Sequence, residues 1–481
     1  MKIAFLASEV IPFAKTGGLA DVAGALPKFL SRLGADVRVF MPLYREVLKK
    51  NLPLEPVISS TLDLGGKTVP FSVFERRADG LSAYFIDQAA YFDRDQLYGT
   101  PAGDYPDNAE RFAFYCRASL ETMRAIGFSP DVVHGHDWQA AAAFAYLKFT
   151  YADEPFFART RSLFTIHNLA YQGLFEKDIL ARVGLPESLF NMNDLEFYGK
   201  VNALKAGVLY ATAVTTVSPR YSREIQTPEF GCGLDGLLRH RAEALHGILN
   251  GVDYHDWNPG TDRLIPRNFG PADLSGKREC RAELVRMFGL SAPPDLPVAG
   301  MVTRLAGQKG LDIVCEALDA LLGLGLTLVI LGTGDQKIQD FLLEAQKKHP
   351  ARLGLKVAFD EKIAHTIYAG SDLFLIPSRY EPCGLTQMYA LKYGTIPVVR
   401  ATGGLDDSIQ EYDPRAGTGN GFKFVEAAPE ALLSAADRSI GAFRRPNLWK
   451  VLVGNAMASD FSWERSAAAY FDLYRRIAAA S

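Results

Sequence analysis

Short apolar runs without polar alternation recur along the chain, separated by longer stretches of helical period. In the first half they fall at residues 3–7, 37–41, 132–133, 163–166 and 214–217, and in the second at 298–302, 326–331, 355–359, 373–376 and 397–399. A strand covered by helices on both faces buries both sets of its side chains, so it loses the in-out alternation of a half-exposed strand. Between the runs lie helical patterns, among them the one through Leu19, Val22, Leu26, Phe29 and Leu30, and those over 311–322 and 385–393. Strand and helix in alternation predict α/β architecture, as two doubly wound, Rossmann-like domains.

The break between them is expected at 247–253, where Asn250-Gly251 is a turn signal and Trp257-Asn258-Pro259-Gly260 continues as loop. The predicted domains are therefore 1–248 and 249–460. Residues 461–481 form a separate segment, an Ala-, Arg- and Tyr-rich helix opening after Ser462. No internal repeat or low-complexity tract interrupts this plan.

Length agrees, since 481 residues exceed what one core organises. Fifty-two basic against 55 acidic residues, a net charge of −3, give no global reason to expect nucleic acid or an anionic membrane as partner. Any phosphate must be met locally. The five cysteines are scattered without a CxxC pair, which suits reduced thiols and a cytoplasmic setting. The first apolar run is cut by Glu9 and reads as a strand rather than a signal segment. The stretch 321–331 is too short to span a bilayer.

The chemistry sits at strand ends. Lys15-Thr16-Gly17-Gly18-Leu19 puts two glycines at a helix start, where free N–H groups favour a phosphate, although an ordinary strand-to-helix turn has the same look. The Gly-x-Gly-x-x-Gly spacing of dinucleotide sites is missing. His134-Gly135-His136-Asp137-Trp138 follows a strand directly. Asp137 there could accept a hydroxyl or stabilise charge, or simply cap the next helix. No Cys/His cluster stands beside His134 and His136 at a ligand spacing, so no metal is expected. His167 ends another strand.

In the second half Arg304 and Lys309 lie between a strand and a helix, as a diphosphate-facing pair or a solvated loop. Glu381-Pro382-Cys383-Gly384-Leu385-Thr386-Gln387 joins a carboxylate, a glycine and a helix start, a combination suited to a polar ligand. Cys383 could be merely buried or a reactive thiol, and no neighbouring base argues for thiolate chemistry. Thr402-Gly403-Gly404 repeats a glycine turn and reads as a secondary site element.

Together these motifs, with Thr165-Ile166-His167-Asn168 and Asn250-Gly251-Val252-Asp253, resemble the bacterial glycogen synthase and plant starch synthase family almost end to end. The resemblance implies a GT-B type fold with two domains facing a cleft. It also implies transfer of glucose from ADP-glucose to an α-1,4-glucan (glycogen or a maltooligosaccharide) with retention, and no metal cofactor. Carried over, Lys15, Gly17, Gly18, Asp21 and Asn250 belong to the donor or closed-site contacts, and Arg304 and Lys309 meet the diphosphate. His167 contacts the glucosyl unit, and Glu381 with the amides of Cys383 and Gly384 holds sugar hydroxyls. Leu385 and Thr386 lie beside the diphosphate, and the last helix returns to the first domain. One departure stands out: where a wider glycosyltransferase pattern has a second glutamate, this chain has Tyr389. Two other readings fit the fold, a synthase with a different acceptor and a glucan-binding protein without catalysis. Retained Arg304 and Lys309 argue against the second, because a neutral glucan needs no diphosphate-facing cations.

Overall fold

Parallel strands form where the apolar runs predict them. In the computed structural model, which describes residues 1–78 and 80–479, the first sheet holds β1 (Lys2–Leu6), β2 (Asp36–Pro42), β3 (Glu55–Leu64), β4 (Lys67–Ala78) and β5 (Leu81–Asp87). It continues with β6 (Val132–His136) and β7 (Arg161–Ile166). A small separate sheet holds β8 (Leu174–Phe175), β9 (Glu196–Phe197) and β10 (Lys200–Asn202), and β11 (Ala213–Thr216) and β12 (Leu245–Gly247) complete the large one. The large sheet runs β12-β11-β7-β6-β1-β2-β5-β4-β3. It is parallel from β12 to β5 and antiparallel over β5, β4 and β3.

The antiparallel extension escapes a search for unbroken apolar runs. β3 buries Leu62 and Leu64 but leaves Thr61 and Asp63 exposed, so this end alternates as a half-solvated strand should.

Helix Trp463–Ala479 packs on helix Gly18–Arg32 and buries Tyr470 and Tyr474. Ala480, the last residue of the expected terminal helix, lies outside the described residues. Gly251 makes the junction possible, because a Cβ there would stand 2.5 Å from the Trp463 Cα. This first unit takes in Met1–Val217, Ser222–Gly251 and the chain from Trp463 on.

The second unit, Ser218–Tyr221 and Val252–Ser462, has an all-parallel sheet. Its strands are β13 (Val298–Val302), β14 (Thr327–Leu331), β15 (Leu353–Lys356), β16 (Leu373–Ile376), β17 (Ile396–Arg400) and β18 (Phe422–Phe424). Their order is β15-β14-β13-β16-β17-β18, around a continuous apolar core. The run expected as a strand over 355–359 is displaced: β15 ends at Lys356, a turn from Ala358 N–H to the Lys356 carbonyl follows, and Phe359 is 94% exposed.

The parallel part of each sheet contains one reversal. β1 lies between β2 and β6, and β13 lies between β14 and β16. Loops leaving the carboxyl ends of such neighbours diverge and leave a crevice, the usual ligand position in open α/β sheets.

Candidate functional site

At the reversal of the first unit, the loop after β1 carries Lys15, Gly17 and Gly18. Lys15 Nζ pairs with Asp21 Oδ1 at 2.8 Å on a half-exposed surface. Burial raises the Asp21 carboxyl, and the Lys15 charge works against that rise.

The loop's N–H groups are only partly free, which corrects the expectation of an open phosphate cradle. The buried Glu9 carboxylate accepts from the N–H of Thr16, from Thr16 Oγ1 at 2.6 Å, from Gly17 N–H at 3.0 Å and from Tyr98 OH at 2.7 Å. Anion-binding capacity falls to the helix Gly18–Arg32 itself, which begins after Gly17 with no side-chain cap. Neither glycine is demanded by internal packing, since a Cβ at Gly17 or Gly18 would meet no atom within 4 Å, and neither has a positive φ. The backbone at this pair is open to close approach from outside the fold.

β6 and β7 bring the histidines together. His134 is wholly buried between Tyr474 OH, 2.7 Å from Nδ1, and Thr165 Oγ1, 2.6 Å from Nε2, which makes it a brace for the terminal helix. His136 Nδ1 lies 2.9 Å from His167 Nε2, and His136 Nε2 has no partner among the described residues. Burial holds His134 and His136 well below the usual imidazole range, and pushes His167 down to about 3, so all three are neutral at pH 7.

Asp137 is not the cap of its own helix, Asp137–Ala145, whose N-cap is His136 without a side-chain bond. Its carboxylate instead accepts from the His167 N–H at 2.7 Å, tying the two strand ends together. The residue holds φ 54°, a left-handed conformation that costs a non-glycine residue roughly 1–3 kcal/mol and clusters at functional sites. Burial raises its carboxyl to about 7 against the lowering effect of the His167 and Asn168 N–H groups. In the same unit Asn250 is 6% exposed, and its Oδ1 has no partner among the described residues.

At the reversal of the second unit the loops after β13 and β16 meet. Lys309 Nζ lies 2.6 Å from Glu381 Oε2, which also accepts from Ser378 Oγ at 3.0 Å. Gly310 permits the approach: it has φ 70°, and a Cβ there would lie 2.0 Å from the Pro377 carbonyl oxygen. Arg304 is exposed, with a long contact of 3.4 Å from Nη2 to Gln308 Oε1. Of the two expected cations, then, one is neutralised by Glu381 and the other is directed at solvent.

The turn after Glu381 is braced by Gln387, whose Nε2 donates to the carbonyls of Cys383 and Gly384 at 3.1 and 2.9 Å. Gly384 holds φ 70°. Leu385 is the N-cap of helix Thr386–Lys392, and Cys383 is buried. Gly403 and Gly404 serve packing: their Cβ atoms would lie 2.0 Å from the Glu381 carbonyl oxygen and 2.1 Å from that of Cys383. That pair supports the Glu381 turn from below. Tyr389 stacks on Trp257 at 3.9 Å, and Trp257 stacks on His365 at 4.0 Å.

Glu9, Tyr98 and Ser378 stand in no recognisable motif, because each works by holding a loop, whereas Gln387 closes the Glu381 segment itself. Phe359, which the apolar run places at the end of a buried strand, lies beyond β15 and is exposed. Among the described residues no group of three His, Cys, Asp or Glu side chains is placed to hold a metal ion. No helix of the described chain is long and apolar enough to cross a membrane.

The starch synthase catalytic domain family matches residues 2–240, and the family of glycosyl transferases group 1 matches residues 286–440. A glycogen synthase of Syntrophotalea carbinolica is 48% identical over 99% of this chain and 99% of its own length. One of Koribacter versatilis is 48% identical over 99% and 98%. Among solved structures, the catalytic domain of starch synthase IV from Arabidopsis thaliana bound to ADP and acarbose superimposes with a TM-score of 0.89, at 34% identity and 99% coverage of both chains. The sucrose-phosphate synthase of Thermosynechococcus elongatus, at 18% identity and a TM-score of 0.59, shares the fold.

Proposed function

The chain belongs to the glycogen synthase and starch synthase family, and from that premise we propose that it transfers glucose from ADP-glucose to the non-reducing end of an α-1,4-glucan, with retention and release of ADP. The observation that carries this reading is the Lys309–Glu381 pair at the strand reversal of the second unit. A cation and a hydroxyl-binding carboxylate on adjoining loops suit a ligand that is a diphosphate at one end and a sugar at the other.

As the bond from the anomeric carbon to the phosphate oxygen breaks, its electron pair leaves with ADP and positive charge grows on the sugar ring. Arg304 and Lys309 stabilise the departing charge with fixed cations. Glu381 and the amides of Cys383 and Gly384 hold hydroxyls of the transferred glucose, and Leu385 and Thr386 border the diphosphate. The first unit carries its own set of candidate donor contacts, Lys15, Gly17, Gly18, Asp21 and Asn250. His167, neutral at pH 7, contacts the glucosyl unit without adding charge beside a developing cation. Ionised Asp137 stabilises that cation. The acceptor hydroxyl attacks from the face the phosphate leaves, and its proton passes to the leaving phosphate.

Phe359 joins this set as a flat, exposed face for the base, after β15 at the edge of the sheet. The five cysteines, all free, fit a cytoplasmic enzyme. ADP-glucose and UDP-glucose, each offered with glycogen, test the reading: chain growth with release of one ADP per glucose is expected. Growth from UDP-glucose alone, or nucleotide release without chain growth, would overturn it.

A further inference from the structure

Among the described residues of the first unit, two hairpins have two-residue turns that are left-handed at both positions, and they are built differently. β3 and β4 are joined through Gly65-Gly66, with φ 59° and 82°, where Leu64 pairs with Lys67. β9 and β10 are joined through Tyr198-Gly199, with φ 49° and 79°, where Phe197 pairs with Lys200. Such a turn favours Asn-Gly or Gly-Gly, and a bulky aromatic at its first position is strained. Burial does not compensate, because Tyr198 is 83% exposed. Neither turn preference nor core packing accounts for this residue. An outlier of this kind points to function.

The ring is held in place. Phe197 meets it edge-on, with centroids 4.7 Å apart and an interplanar angle of 85°. Gly233 comes up behind both, since a Cβ there would lie 2.8 Å from the Phe197 ring and 3.4 Å from that of Tyr198. Lys200 pairs with Glu176, and Glu196 Oε1 accepts the Gly199 N–H at 2.7 Å, which leaves the Glu196 charge beside the turn. A flat aromatic face beside a carboxylate fits the apolar C–H face of a neutral sugar better than an anion. The hairpin also stands on the right edge of the sheet. The chain leaves β7 at His167 and reaches β8 within seven residues, β8 pairs with β10, and Asn202 at the end of β10 caps the helix Ala203–Tyr210 that leads to β11.

We propose that the β9–β10 hairpin is a docking platform for an α-glucan, with Tyr198 stacking on a glucose unit other than the one that accepts the transferred residue. The proposal rests on the glucan-elongating reading above and adds to it a place where a long acceptor is held by a stretch of chain that a short one lacks.

Tyr198→Asn and Tyr198→Gly test it in the full-length chain, since both are residues the turn prefers and neither should impair folding. Their Tm should equal or exceed that of wild type. The KM for glycogen should rise on the order of tenfold, as expected for losing the burial of one aromatic face, with a matching loss of retardation in glycogen-containing gels. The KM for maltotriose and kcat should stay within twofold, and Tyr198→Trp should keep the glycogen KM. An unchanged glycogen KM beside normal maltotriose kinetics overturns the platform alone. So does a wild-type oligomer that the substitutions convert to monomer in sedimentation velocity, because the hairpin would then hold a second copy of the chain. A wild-type chain that cannot extend maltotriose from ADP-glucose removes the functional reading, and the platform with it.

Discussion

Lys309 is a cation already in place before any diphosphate arrives. A mostly buried ion pair adds little net stability, because desolvating both charges offsets their attraction, yet removing one partner leaves the other uncompensated. Lys309→Ala should therefore act twice. Loss of a stabiliser of leaving-group charge should lower kcat on the order of 100-fold with a smaller change in donor KM. The stranded Glu381 should lower the Tm. Lys309→Arg should restore both in part, since the guanidinium is wider and planar. Steady-state kinetics beside thermal melts separate the effects, and a normal kcat with only a raised donor KM would reject the leaving-group role. Asp137 supplies a pH signature. Its folded pKa of about 7 exceeds its unfolded value, so its contribution to stability is present at low pH and is lost as the pH rises through about 7. His167 runs the other way: its folded pKa of about 3 is depressed, and the stability linked to its neutrality is lost as the pH falls below the ordinary imidazole range. If ionised Asp137 stabilises the sugar cation, kcat/KM should rise with pH to a plateau above about 7. Asp137→Asn should lower the plateau and abolish the rise. A pH profile unchanged in the variant would exclude that role.

At the scale of elements, the loop after β1 owes its shape to one carboxylate. Glu9 gathers Thr16, Gly17 and Tyr98, leaving the glycine backbone of Gly17 and Gly18 open on its other side. Glu9→Gln keeps the volume but turns one acceptor into a donor that faces other donors. Leaving such groups unsatisfied costs about 1–3 kcal/mol. Calorimetry should show a lower Tm, and donor KM should rise severalfold while Glu9→Asp recovers little, because the shorter side chain cannot span the same donors. Full activity in Glu9→Gln would mean that the loop is shaped by its helix alone. Elements also differ in how readily they are read. β13 and β16 stand where their unbroken apolar runs lie, since burial on both faces leaves a contiguous signal. β3 and β4, half solvated, leave only an alternation that resembles loop, and the run through Phe359 misleads because an exposed aromatic looks like a buried one in sequence. The two glycine pairs look alike as text. Only the structure separates Gly17-Gly18, open to solvent, from Gly403-Gly404, pressed against the Glu381 turn.

For the whole molecule, the strand orders explain why motifs far apart in the chain belong together. Lys15 and Asp137 follow strands that flank one reversal, and Lys309 and Glu381 follow strands that flank the other. Position at a strand's carboxyl end was legible from the apolar run before each motif. The partners Glu9 and Ser378 were not: each lies within a few residues of the group it holds, but the irregular turn that brings it round leaves no periodic pattern. The central claim is transfer from ADP-glucose with retention and without a divalent ion, and its most direct test is time-resolved proton NMR of ADP-glucose with maltoheptaose in excess chelator. New α-1,4 anomeric signals should grow one for one with ADP from the first turnover. Appearance of β-linked product, release of free glucose alone, or no transfer until a divalent metal is restored would contradict it.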